Sequence, residues 1–215
     1  MKILYIYAHP EPRSFNGALK DVAMVTLTAT GHEVKVSHLY AMKFKAVLDS
    51  QDFRIRARHD IFNPAMEQLH GMTTGSLASD IQEEIERIAW ADLLIFQFPL
   101  WWSYMPAILK GWFDRVFIQG FAVNTAEGNV YDHGLLRGKK GMLVVTTGSP
   151  EEMYSPGGVH GDLKEHLSVI EHNILEFAGM GVLPPFIVFG ASSMSPEKAS
   201  LVLKEYERRL AGIPL

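Results

Sequence analysis

The stretch KILYIYAHPEPRSFNG, residues 2–17, runs an unbroken apolar segment into a polar loop that holds no glycine until Gly17. Lys2–Tyr7 reads as a β-strand covered on both faces, because strands buried between two helix layers lose the usual alternation. Phosphate-binding loops occupy such strand-to-helix corners. Here G-x-G-x-x-G and G-x-x-x-x-G-K-[ST] are both missing, which excludes the dinucleotide fingerprint and the P-loop. The corner offers instead His9, Arg13, the Ser14 hydroxyl, the Asn16 amide and the unpaired N–H groups of a helix start, where the dipole favours an anion. Capping the helix is the ordinary task of Ser14 or Asn16, so both uses stay open.

Further strand-like runs follow at Glu33–Ser37, Leu93–Phe98, Met142–Thr147 and Phe186–Phe189. Helical patterns separate them. Asp80 with Glu83 predicts a capping box ahead of Ile81, Ile85 and Ile88. Pro106 fits the first turn of a helix reaching Phe117. Asp162 with Glu165 repeats the capping-box pattern before an apolar face of Leu163, Leu167, Ile170, Ile174 and Phe177. Ser195-Pro196 opens the last helix and Gly212 closes it. Five strands alternating with helices predict a doubly covered parallel α/β sheet with right-handed crossovers. Residues 39–79 do not fit this alternation, and we expect a short helix near 50–58 within a long excursion.

Ligands of such sheets bind beyond the carboxyl ends of the strands, which directs attention to three segments. The first is AHPEPRSFNG. The second, PLWWSYMP, sets Trp101, Trp102 and Tyr104 between Pro99 and Pro106. Such a loop suits the face of a flat ligand, and equally a buried aromatic cluster or a dimer contact. The third, TTGSPEEMYSPGGVHGD, brings hydroxyls and loop amides at Thr146, Thr147, Gly148 and Ser149, followed by Tyr154 and His160. A phenol and an imidazole in one glycine-rich loop form a plausible proton-donating pair, although His160 also stands where it merely precedes a helix. A phosphate corner, an aromatic slot and a polar loop together point to a flat ligand with a phosphate tail, and a flavin fits best.

The whole chain agrees with a single domain. Its 215 residues are 47% hydrophobic and 20% charged, ordinary for a globular protein with a full core. A formal charge of −4 with scattered Lys and Arg argues against nucleic acid as a partner. The absence of cysteine excludes disulfides, thiolate catalysis and Cys-based zinc sites. No apolar run is long enough for stable membrane insertion. No secretory or transit-like segment precedes the first strand, so a cytoplasmic location is expected.

The phrases YAHPEPRSFNGALK, SHLYAM, FQFPLWWSYMPAILKGWFDRVF, TTGSPEEMYS and GVHGD resemble the NAD(P)H:quinone oxidoreductase (DT-diaphorase) family of flavodoxin-like flavoproteins. The likeness runs from residue 1 to about residue 185, and PAILKGWFDRV after a Phe-Pro-Leu strand end is its most specific part. The resemblance implies a flavodoxin-like fold, strand order 2-1-3-4-5, in a homodimer. It implies FAD, with FMN as the alternative, and two-electron transfer from NAD(P)H to a quinone by a ping-pong route. Carried over residue by residue, His9, Ser14, Phe15 and Asn16 would hold the phosphate and adenosine side. Pro99, Leu100, Trp101 and Trp102 would line the isoalloxazine, with Thr146, Thr147, Gly148 and Ser149 at its ring edge. Tyr154 and His160 would relay charge to the flavin. Trp102, together with Phe177 from the partner chain, would wall the substrate pocket.

Several positions depart from the family pattern. Val123 and Thr125 stand where vertebrate members carry two pocket tyrosines, and Ser103 where an aromatic is common. The chain ends at Leu215 without the vertebrate C-terminal extension. One subgroup has a surface metal site on the helix of His172; Glu176 replaces its second histidine here, and no metal is expected. Two other roles fit short bacterial relatives: an accessory flavoprotein of a potassium-efflux system, and an FMN-dependent azo or nitro reductase.

Overall fold

The structure, a computed structural model, describes residues 1–214. Among them five strands form one parallel sheet in the order β2-β1-β3-β4-β5. They are β1 (Lys2–Tyr7), β2 (Glu33–His38), β3 (Leu93–Pro99), β4 (Lys140–Thr146) and β5 (Gly181–Val188). The helices are α1 (Phe15–Ala29), α2 (Pro64–Thr74), α3 (Ser79–Trp90), α4 (Ala107–Val116), α5 (Leu163–Ile170) and α6 (Pro196–Ala211). The expected flavodoxin-like sheet is therefore present, with strand ends shifted by a few residues at most except in β5. There the strand begins at Gly181, earlier than the Phe186 start read from the sequence.

Side-chain alternation along the central strands builds two cores. Ile3, Tyr5 and Tyr7 face α1 and α6, packing with Leu19, Leu27, Tyr206 and Leu210. Leu4, Ile6, Phe96 and Phe98 face the opposite layer, with Ile81, Ile88, Trp112 and Leu167. A strand with apolar side chains on both faces has no solvent side to mark, which is why β1 and β3 read as continuous runs. Gly17 explains itself by close approach. A Cβ there would lie 1.8 Å from the Pro12 carbonyl oxygen, so the loop after β1 folds directly over the start of α1.

Several sequence expectations need correction. The helix expected near 50–58 is only one 3₁₀ turn, Ser50–Asp52. The true helix of the excursion is α2, opened by an Asn63 cap and Pro64 and closed by Gly75 at φ 65°. The Asp80–Glu83 capping box does not form. The cap position of α3 is Ala78, without a side-chain bond, and Asp80 instead meets Arg115 Nη1 at 2.6 Å. Arg115 is buried and also pairs with buried Asp52 at 2.9 Å, so Asp80 joins an ion-pair cluster in which Asp52 fastens the excursion onto α4. Lastly, α5 does not run on regularly to Phe177. A π-helical stretch, Glu171–Glu176, follows Ile170 and turns Leu175 into the core while Ile174 and Phe177 stay half-buried. Asp162 does cap α5, accepting from Lys164 N–H at 2.9 Å, but among the described residues Glu165 makes no return bond.

Candidate functional site

Strands β1, β3 and β4 are adjacent, so the loops leaving their carboxyl ends share one opening. The strand order reverses between β1 and β3, the switch point where ligands of open α/β sheets bind.

The loop after β1 is fixed by its own polar groups. His9 Nδ1 accepts from the Glu11 N–H at 3.1 Å, which leaves the imidazole proton on Nε2. Burial pushes the His9 pKa below its ordinary value, so the ring is neutral at pH 7. The Ser14 hydroxyl donates to the Glu11 carbonyl at 2.7 Å and accepts from Gly17 N–H at 3.2 Å. Ser14 is therefore a helix cap whose proton is already in use. Arg13 turns outward onto Glu11, and its charge is locally cancelled. The N–H groups of Phe15 and Asn16 find no acceptor among the described residues. The Asn16 side chain is buried and donates from Nδ2 to Thr146 Oγ1 at 2.9 Å, joining the first and third loops.

Beyond Pro99, Leu100 N–H donates to the Thr146 carbonyl at 2.8 Å. The chain then reverses in a tight turn. Trp101 N–H donates to Tyr104 O at 2.9 Å and Tyr104 N–H returns to Trp101 O at 3.0 Å. The corner residues Trp102 and Ser103 have φ of 50° and 59°, the left-handed values of a type I′ turn, which normally demand Gly or Asn. Trp102 at the tip is fully exposed, so it belongs to no buried cluster. Trp101 is partly exposed and its ring lies 6.2 Å from that of His9.

The loop after β4 is pinned against β5. Thr147 N–H donates to Val188 O at 2.9 Å, and its hydroxyl donates to Ser149 O at 2.7 Å. The N–H groups of Gly148 and Ser149 find no acceptor among the described residues. His160 Nε2 lies 3.2 Å from Ser149 Oγ. The rings of Tyr154 and His160 are 4.9 Å apart and inclined by 37°. The pair is thus in ring contact, with no hydrogen bond between phenol and imidazole. The sequence reading missed two neighbours of Tyr154, His166 at 6.4 Å and Phe189 at 6.1 Å between ring centroids. It also missed buried Gln97, whose one signal was a polar residue inside the apolar run LLIFQFP.

Phe177 is not brought to this opening within one chain. With Val123, Phe113 and Ile174 it lines a separate cavity of about 350 Å³. Tyr131 meets Phe177 edge-on at 5.2 Å between centroids. His172 Nδ1 contacts Glu176 Oε2 at 2.7 Å on the surface, and among the described residues no group of three or more metal-ligating side chains gathers.

The opening therefore collects donors: the N–H groups of Phe15, Asn16, Gly148 and Ser149 and the Nε2–H of a neutral histidine, beside an exposed pair of indoles. Such a set fits a flat, acceptor-rich ligand with an anionic tail, as a flavin nucleotide is.

Comparison with known proteins shows the family. Residues 1–211 match a family model described as a flavodoxin-like fold. Ribosyldihydronicotinamide dehydrogenase [quinone] of Homo sapiens is 44% identical over 213 residues, spanning 99% of this chain and 91% of that protein. NAD(P)H dehydrogenase [quinone] 1 of Cavia porcellus is 41% identical over 213 residues, 99% of this chain and 77% of its own. Among solved structures, a Klebsiella pneumoniae protein classed provisionally as a quinone reductase superposes with a TM-score of 0.94 at 42% identity, covering 98% of this chain and 83% of that one.

Proposed function

Because the chain belongs to the NAD(P)H:quinone oxidoreductase family, of flavodoxin-like fold, we propose that its three adjoining strand ends bind FAD for a ping-pong reaction. FAD held there would supply the two-electron redox chemistry between NAD(P)H and a quinone.

The chain's own residues do the binding and the electrostatics. The Phe15 and Asn16 N–H groups and His9 Nε2–H face the phosphates, with Ser14 holding that loop in shape. Pro99, Leu100 and Trp101 flank the ring system, and Trp102 offers its exposed face to donor and quinone in turn. The N–H groups of Gly148 and Ser149, with Thr146 and Thr147, line the ring edge. Tyr154 and His160 would stand near that edge as donors able to stabilise negative charge on a bound ring. Phe177 and Val123 of a second copy complete the pocket, which makes the working unit a homodimer. Among the described residues no helix is long and apolar enough to cross a membrane, and we place the protein in the cytoplasm.

The observation that carries this reading is that unpaired N–H donors stand on two loops that leave one end of the sheet. Its test is to denature the purified protein and identify what it releases. FAD is expected. FMN would keep the flavin but reduce the phosphate corner to one phosphate. A chain that neither contains nor takes up FAD or FMN would overturn the reading. A relative named for ribosyldihydronicotinamide stands at 44% identity, so the donor is checked separately by comparing kcat/KM for NADH, NADPH and dihydronicotinamide riboside.

A further inference from the structure

Gln97 is wholly buried at the centre of the sheet, and its carboxamide has only one possible orientation. Its Nε2 lies 2.7 Å from the backbone carbonyl of Asn16. A carbonyl only accepts, so the NH₂ end must face it. Gln97 Oε1 then faces Tyr5 Oη at 2.5 Å, and Tyr5 is the donor. Tyr5 having spent its one proton, Tyr206 Oη at 2.9 Å must donate to Tyr5. On the other side Gln97 Nε2 also reaches Asn16 Oδ1 at 3.3 Å, which turns Asn16 Nδ2 toward Thr146. Asn16 therefore donates and Thr146 Oγ1 accepts, at 2.9 Å.

One consequence is left at the end of this chain. The Thr146 hydroxyl accepts inside the protein, so its own proton has to go elsewhere, and among the described residues it has no acceptor. Its neighbour Thr147 differs, having given its proton to the Ser149 carbonyl. We infer that Tyr206, Tyr5, Gln97 and Asn16 form a buried relay of hydrogen-bond polarity that makes Thr146 an obligate donor to the bound ligand. The corner then selects a ligand atom that accepts, a ring carbonyl oxygen or an unprotonated ring nitrogen, and rejects one that donates. Gln97 is the positioning residue: it touches no ligand and acts through the Asn16 amide. The Asn16 carbonyl fixes the polarity at Gln97, and the Tyr5 and Tyr206 protons follow from it back to α6.

The inference takes its ligand from the flavin reading, and its test separates the two. FAD and FMN are titrated into the full chain, into Gln97→Met, Thr146→Val and Thr146→Ser, and into the Gln97→Met/Thr146→Val double variant. Thr146→Val should weaken flavin binding about tenfold, the worth of one buried hydrogen bond, while Thr146→Ser retains it. Gln97→Met leaves the Asn16 amide free to turn, and should weaken binding to a similar degree. In the double variant the loss should be no greater than in Thr146→Val alone. Losses that multiply, or a Gln97→Met variant that binds like the parent, would overturn the relay. If Gln97→Met does not fold, the carbonyl stretches of bound flavin decide: they should shift in Thr146→Val and not in Thr146→Ser, and equal spectra would overturn the inference. If the parent chain takes up neither flavin, the flavin reading has failed, and the relay is judged from the Asn16 side-chain amide in nuclear magnetic resonance. Two inequivalent, slowly exchanging protons would support it, and rapid exchange in the parent would overturn it.

Discussion

The imidazole of His9 lies 6.2 Å from the indole of Trp101, tilted by 55°, so the loop after β3 leans on a histidine whose Nδ1 must stay unprotonated to accept from Glu11 N–H. Burial depresses the His9 pKa. A depressed histidine contributes stability that is complete above the unfolded value, about 6.5, and is lost as pH falls through the lower folded value. The ligand-free protein should therefore lose thermal stability as the pH falls from about 6.5 through that lower value. His32 and His38 are lowered by burial too, so His9→Gln should flatten the pH dependence only in part. An identical profile in parent and variant would remove His9 from the account.

Trp102 combines a left-handed backbone with a fully exposed side chain. A left-handed non-glycine residue costs roughly 1–2 kcal/mol, and glycine returns part of that through its freer unfolded chain. Trp102→Gly should thus leave the ligand-free protein as stable or stabler by up to about 1 kcal/mol, while raising KM for donor or quinone. Denaturant midpoints and steady-state kinetics read the two effects separately. Loss of stability without change in KM would show that the indole packs rather than binds.

Arg115 is the fastening of residues 39–79. It reaches Asp52, Asp80 and the Lys45 carbonyl. Removing one partner of a buried ion pair typically costs about 3–5 kcal/mol. Lys45 remains beside Asp52 at 2.9 Å, so Arg115→Met should fall toward the lower end. Urea unfolding measures the loss, and limited proteolysis should cut first within the released excursion.

Much of this molecule was legible in its sequence, and the failures have physical causes. β1 and β3 are buried on both faces, so their apolar runs marked the sheet, and the order of helices followed. Ser14, Pro106 and Ser195 stood where helices begin. Asp80 misled because an acid at a helix start looks the same whether it caps or meets a distant arginine, and Arg115 is far away in sequence. The π-helical stretch at Glu171–Glu176 shifts the apolar register without any residue that announces it. Asn63-Pro64 and Gly75 did announce α2 and were overlooked beside the charged segment before them. At the opening, the loops were found but the wiring was not. Ser14 spends its proton within its own loop, whereas Thr146 accepts from distant Asn16 and keeps its own proton, a difference set by distances that no sequence spacing records.

His160 lies against Tyr154 and within 3.2 Å of Ser149 Oγ. If the pair stabilises developing charge, His160→Ala should slow reduction of the bound flavin about tenfold to a hundredfold. Tyr154→Phe, which keeps the ring contact and removes the hydroxyl, should slow it less. Stopped-flow absorbance gives the rates, and the resting flavin spectrum should hardly change. Unaltered rates in both variants would make the pair structural.

The most direct measurement is made without oxygen on the flavin-loaded protein. NAD(P)H alone should bleach the visible flavin absorbance in a single turnover. A quinone added after the donor is removed should restore it fully, with no donor present in the second step. A protein whose flavin is not bleached by any dihydronicotinamide, or is bleached but not restored by a quinone, would contradict the assignment of these strand ends as a quinone reductase site.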